Sequence, residues 1–136
     1  MTRLPERLLP SRACYCGRSD CIETWLSGAG LALTHEQLHA ETIDENDLKG
    51  AQAGGALRET LDTYREMLAA ALATVVNLLD PGVIVLGGGL SNNQTLYAEL
   101  PELLADQVFS DYFATRIRPA QHGDSSGVRG AAWLWP

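Results

Sequence analysis

From Leu57 to Leu79, apolar side chains recur at steps of three and four: Leu57, Leu61, Tyr64, Leu68, Leu72, Val75, Val76 and Leu79. That spacing lays one apolar stripe along an α-helix, whereas a half-buried strand would alternate every two residues. Ala69, Ala70, Ala71 and Ala73 add helix propensity and allow close packing. Asp80-Pro81-Gly82 stops the helix, because proline cannot continue the hydrogen-bond ladder. Val83-Ile84-Val85-Leu86 follows at once, β-branched and without alternation. Such a run predicts a strand buried on both faces of a parallel sheet. Gly87, Gly88 and Gly89 interrupt it. A second amphipathic helix is expected from Gln94 to Gln107, with Leu96, Leu100, Leu103 and Leu104 inward, and a short strand from Thr115 to Arg118. Asp124-Ser125-Ser126 can cap a last helix carrying Val128, Ala131, Ala132 and Trp135. The order helix, strand, helix, strand, helix implies an α/β layer over residues 57–136 with a right-handed crossover.

A length of 136 residues, 46% of them hydrophobic, suits one domain with a buried core. Seventeen acidic against ten basic residues give a formal net charge of −7, which argues against a nucleic-acid or anionic-membrane surface. Arg3, Arg7, Arg12 and Arg18 concentrate near the start; with Pro5 and Pro10 and no periodicity, residues 1–13 read as a mobile, solvated leading segment. Between residues 22 and 33, Ile22, Trp25, Leu26 and Leu31 suggest a short helix broken by Gly28 and Gly30. Residues 34–54 are polar and are expected to form short helices and loops.

No apolar run approaches the roughly 18 residues of a membrane span, and Met1-Thr2-Arg3-Leu4-Pro5 lacks the apolar stretch of an export signal. The expected compartment is therefore the cytosol, where clustered cysteines point to metal before disulfide. Cys14, Cys16 and Cys21 fall within eight residues, with Gly17 allowing the backbone to fold back toward the sulfurs. A structural zinc site wants four such ligands in a tetrahedron. None of the remaining loop residues supplies the fourth. His35 and His39, spaced to share a helix face, could do so, but the plainer reading of both is surface histidines.

Three segments together resemble the ROK family (repressors, open reading frames and sugar kinases). Cys14-x-Cys16-Gly17-x3-Asp20-Cys21-Ile22-Glu23 runs on to Ser27-Gly28-x-Gly30 and is similar to the family's cysteine segment. Asp80-Pro81-Gly82 through Gly87-Gly88-Gly89 to Asn92 resembles its strand and glycine loop, and His122-Gly123-Asp124 through Gly127, Arg129 and Gly130 to Leu134 its closing helix. The resemblance covers roughly residues 14–135 and leans toward the manno- and fructokinases, with N-acetylglucosamine kinases next. It implies the carboxyl-terminal part of an actin-like, hexokinase-type (ribonuclease H-like) ATPase domain with a zinc-binding loop at residues 14–21. It also implies Cys14, Cys16 and Cys21 as ligands of a structural zinc, and Glu23 as the carboxylate that accepts sugar hydroxyls. An ionised carboxylate has about four lone-pair sites and can take two adjacent hydroxyl donors. Gly87, Gly88 and Gly89 would lie against adenosine, while Asp124 is read as a helix cap.

The partners so implied are a hexose and ATP with magnesium, and a homodimer for the full-length enzyme. The family's phosphate-binding hairpin, its catalytic Asn-Asp pair and the Gly-His stretch that supplies the fourth zinc ligand have no counterpart in these 136 residues. The chain alone is therefore expected not to phosphorylate sugars, with an unpaired edge on the strand at Val83–Leu86. Two other readings stand beside a fructokinase-like fragment: a piece of a sugar-responsive ROK repressor, and a small zinc-binding scaffold completed by His35 or His39.

Overall fold

The computed structural model describes residues 9–44, 47 and 54–134. Helix α1 (Ile22–Leu26) is followed directly by α2 (Gly28–His39), and α3 (Gly55–Leu79) is the long helix anticipated from the apolar stripe. Strand β1 (Val83–Leu86), a 3-10 turn (Gly89–Asn92), α4 (Thr95–Ala105), β2 (Arg116–Pro119), a second 3-10 turn (Gly123–Ser125) and α5 (Ser126–Ala132) complete the described order. β1 and β2 pair in parallel, Val83 opposite Arg116 and Leu86 opposite Pro119, with α4 as the connection between them. The α/β arrangement expected for the second part of the chain takes this form among the described residues, from Gly55 to Ala132.

α3 organises two cores, one at each end. Toward its start, Leu61 and Tyr64 meet Leu31 of α2 and Leu96 of α4. Toward its end, Ala69, Ala73 and Val76 pack with Leu100, Leu104 and Ile117. The alanines explain the closeness of α3 and α4 there, since Ala69 and Ala73 are fully buried. Each Leu buried at Leu100 and Leu104 contributes about 1.5–3 kcal/mol relative to exposure.

The buried band on α3 does not coincide with its apolar stripe: Val75 and Leu79 are exposed, whereas Thr60, Thr63 and Arg65 are buried. Arg65 is 1% exposed: it donates to Thr95 Oγ1 at 2.9 Å, to Asp62, and reaches Glu99 at 3.2 Å. Arg58 bonds the same two carboxylates, so α3 and α4 are joined by a four-residue charge network. Burial pushes the Asp62 carboxyl up, but the hydrogen bonds from Arg65 and Arg58 outweigh it and leave it below the ordinary value.

One expectation fails on burial and another on where a helix breaks. β1 is not buried on both faces: Val83 and Val85 are exposed while Ile84 and Leu86 turn toward α3 and α4. The local run signals a strand, but its burial depends on neighbours, and among the described residues β2 is its one partner strand. The break in the first helical segment lies at Ser27 rather than at the glycines, with the Ser27 hydroxyl accepting from Gly30 N to open α2. Asp124 lies in the second 3-10 turn, its side chain outside what is described; α5 begins without a side-chain cap. Trp135 and residues 1–8 of the leading segment also lie outside the described residues.

Candidate metal centre and the carboxylate beside it

Residues 11–20 form a hairpin closed at its base. Ala13 bridges Ser19 in antiparallel fashion, and Cys14 N donates to Arg18 O at 2.8 Å. Gly17 turns the tip with φ +84°, a left-handed conformation that favours glycine, and its N–H bonds Cys14 O. At the base, Arg12 and Asp20 exchange two bonds at 2.8 Å: Asp20 N donates to Arg12 O, and Arg12 N donates to Asp20 Oδ1. Ser11 Oγ donates to Asp20 Oδ2 at 2.7 Å. These donors, Arg12 N first, hold the Asp20 carboxyl below its ordinary range. Asp20 itself takes φ +57°, turning the chain so that Cys21 follows at the start of α1.

The hairpin brings the three Sγ atoms within 4.8 Å of one another, with Cys16 and Cys21 at 3.5 Å. A tetrahedral zinc with Zn–S near 2.3 Å needs sulfurs about 3.8 Å apart, so three of its four positions fit this arrangement. The thiols differ in acidity. The Arg18 backbone N–H, followed by the neighbouring thiols, lowers Cys16, whereas Cys21, bonded first to Cys16 and then to Cys14, is pushed up to about 12. A second thiolate beside the first is costly, and a bound dication removes that cost.

Glu23 stands two residues beyond Cys21 in α1 and is exposed. It faces the exposed Tyr15, whose phenol it pushes up by its charge and then by its hydrogen bond. A cavity of about 250 Å³ opens between α1 and α3, lined by Ile22, Trp25, Leu26, Met67 and Ala70 among others. Its walls are mainly apolar, and Glu23 does not line it. Gly87–Gly89 end β1; Gly88 has φ +83°, and a Cβ at any of the three meets nothing within 4 Å. Ser91 Oγ pins the turn by donating to Gly88 O at 2.6 Å. α1 packs on α2 and α3, whereas the turn starting at Gly89 packs on the turn at Gly123–Ser125. Glu23 and the glycines thus rest on different neighbours.

A profile of the ROK family matches residues 6–136. The chain belongs to the ROK family. Among curated relatives of this ROK chain, the N-acetyl-D-glucosamine kinase of Pectobacterium carotovorum is 39% identical over 128 residues, covering 93% of this chain and 42% of that protein. The corresponding kinase of Aliivibrio fischeri is 41% identical over 127 residues, 92% of this chain and 42% of its own length. The chain thus spans about two fifths of the curated relatives it matches. The leaning toward manno- and fructokinases finds no support among these similar relatives.

A ROK hexokinase from Thermus thermophilus superposes with a TM-score of 0.71 at 27% identity, over 97% of this chain and 44% of that one. A ROK glucokinase from Streptomyces griseus, solved with glucose and AMPPNP, superposes at 0.72 and 22% identity, over 94% and 48%; it supports the fold. No helix among the described residues is long and apolar enough to cross a membrane.

Several ROK-chain residues take places the sequence did not suggest. Arg12 is no solvated leader residue but is 5% exposed, its guanidinium 3.6 Å from the Trp25 ring. The signal was its position, eight residues before Asp20 with a glycine turn between them. His35 is not a surface histidine either: it is 2% exposed, its Nδ1 2.8 Å from Thr60 Oγ1 of α3. His39 is also largely covered, its ring 4.9 Å from that of His35. Neither histidine joins the cysteine cluster, which removes the basis for a scaffold completed by them.

Proposed function

We propose that the chain is the carboxyl-terminal portion of an ATP-dependent hexose kinase, with N-acetylglucosamine as the first candidate substrate. The convergence of Cys14, Cys16 and Cys21 directly ahead of Glu23, in a chain whose similar curated relatives are N-acetylglucosamine kinases, carries this reading. In it the three thiolates hold a structural zinc, which supplies no reaction step and stiffens the backbone that presents Glu23. Glu23 accepts two hydrogen bonds from sugar hydroxyls, each charge-assisted and therefore stronger than a neutral one. The open space at Gly87–Gly89 lets a nucleotide approach the backbone closely.

Phosphoryl transfer also requires a base for the hydroxyl, a cradle for the terminal phosphates and a magnesium site. In this reading those belong to the remaining three fifths of the family fold, so this chain alone turns over no ATP.

The test is a chimera in which residues 6–136 replace the matched segment of the Aliivibrio fischeri kinase. Phosphorylation of N-acetylglucosamine at about 1–100 per second is expected. Glu23→Gln in that chimera is expected to lower kcat/KM about 10–100-fold, the loss of charge-assisted hydrogen bonds worth about 1.5–3 kcal/mol. A folded chimera that phosphorylates no hexose, or one indifferent to Glu23→Gln, contradicts the proposal.

A further inference from the structure

We propose that Arg12 is the positioning residue of the cysteine loop, holding the three thiols in a metal-ready arrangement through contacts that involve no sulfur. This rests on reading the loop as a metal site.

Backbone hydrogen bonds shape the loop, but it has little packing of its own. Cys16, Tyr15, Gly17, Arg18 and Ser19 are all exposed, so no apolar burial fixes the hairpin. Arg12 is its one deeply buried side chain among the described residues, and both of its terminal nitrogens are anchored, while Nε is buried without a partner. One terminal nitrogen donates to Thr24 O at 2.8 Å and to Gly30 O at 2.9 Å. The other donates to Thr34 Oγ1 at 2.9 Å and to Gln37 Oε1 at 2.6 Å. The guanidinium carbon lies over the Trp25 ring, 3.6 Å from its centroid, a cation–π contact strengthened by exclusion of water. Its side chain therefore grips α1, the start of α2 and the middle of α2 at once.

The same residue's main chain closes the hairpin on Asp20, and Cys21 comes next. The path from the buried guanidinium to the third thiol is thus two hydrogen-bonded residues long. Gly30 makes the grip possible: with no Cβ, its carbonyl can sit beside that of Thr24, and both converge on one nitrogen. Lysine could keep the charge in place but has three donors on a point charge, and cannot match four acceptors while also sitting over the ring.

The consequence is a metal affinity set partly by a residue that touches no metal ligand. Partners hydrogen-bonded directly to a metal ligand typically change affinity about 10–100-fold when replaced, and Arg12 acts one residue farther out, through Asp20. The whole chain, metal-stripped, is titrated with cobalt(II), whose thiolate charge-transfer and tetrahedral d–d bands report the coordination directly; zinc competition then gives relative affinities. Arg12→Lys and Arg12→Met are each expected to bind cobalt about 10-fold more weakly than wild type, the low end of that range, with d–d bands broadened or displaced. Arg58→Met, in the α3–α4 charge network, is the control and is expected to match wild type.

Folded Arg12→Lys protein with wild-type cobalt affinity and spectrum overturns the proposal. Should the Arg12 variants fail to fold, amide exchange of the wild-type chain in chelator decides. Protection at Cys14 N, Gly17 N and Asp20 N without metal supports a preformed loop, and its absence overturns it. Wild-type chain that binds no cobalt defeats the metal reading itself, and the same exchange experiment still judges the clamp.

Discussion

Replacing Gly30 by alanine should unfold the chain more readily, although alanine is the better helix former. A Cβ built at Gly30 comes 2.6 Å from Thr24 O, 2.8 Å from Trp25 C and 2.9 Å from Thr24 C. All three neighbours are backbone, so no side chain can swing away. Restoring ordinary contact near 3.4 Å requires α1 and α2 to part by about 0.8 Å. Overpacking of this kind costs about 1–3 kcal/mol. Parting the helices also stretches the Arg12 bonds to Thr24 O and Gly30 O, and a hydrogen bond to a charged group is worth about 1.5–3 kcal/mol. Against this stands about 1 kcal/mol of helix propensity. The net expectation is a loss of about 2–4 kcal/mol. Gly28 in the same helix is the internal comparison: nothing lies within 4 Å of its built Cβ, so Gly28→Ala should be neutral or add up to about 1 kcal/mol. Urea unfolding followed by circular dichroism and by the fluorescence of buried Trp25 measures both. A Gly30→Ala protein as stable as wild type would refute the close approach of the two helices.

Leu100→Ala and Leu104→Ala each empty a fully buried position between α3, α4 and β2, and each should cost about 2–5 kcal/mol in the same urea experiment. Because the folded Asp62 carboxyl titrates below its ordinary value of 3.8, its contribution is present above that value and is lost as pH falls through the lower folded one. Its carboxylate is 39% exposed, so solvent screening keeps the contribution under about 1 kcal/mol. The stability difference between wild type and Asp62→Asn should therefore be constant near neutrality and shrink below about pH 4; a difference growing with acidity would reverse the sign. Saturating zinc at a hundredfold its dissociation constant should add about 2.7 kcal/mol, read as a rise in Tm that chelator abolishes and that Cys14→Ala does not show.

What could be read from the sequence was what local periodicity encodes. The stripe from Leu57 to Leu79 set α3, and the run from Val83 to Leu86 set β1, because helix and strand signals depend only on spacing along the chain. Burial of β1 was misjudged because it depends on which elements cover it. Arg12 was hidden for a related reason: four early arginines look alike in composition, and only the fold shows that one meets Trp25, Thr34 and Gln37. His35 looked like a surface residue since its partner Thr60 lies 25 positions away. Gly30 carried a signal that was misassigned, as a missing Cβ can mark either a helix break or a close approach. The cysteine spacing was the most informative site feature, because a tight turn at Gly17 leaves the three sulfurs few ways to avoid one another.

Zinc at Cys14, Cys16 and Cys21 underlies both the kinase reading and the role of Arg12, and X-ray absorption at the zinc edge of the purified chain addresses it directly. One zinc per chain with three sulfur scatterers at about 2.3 Å is the expected spectrum. A first shell of nitrogen and oxygen alone, or a chain that retains no zinc, would contradict it.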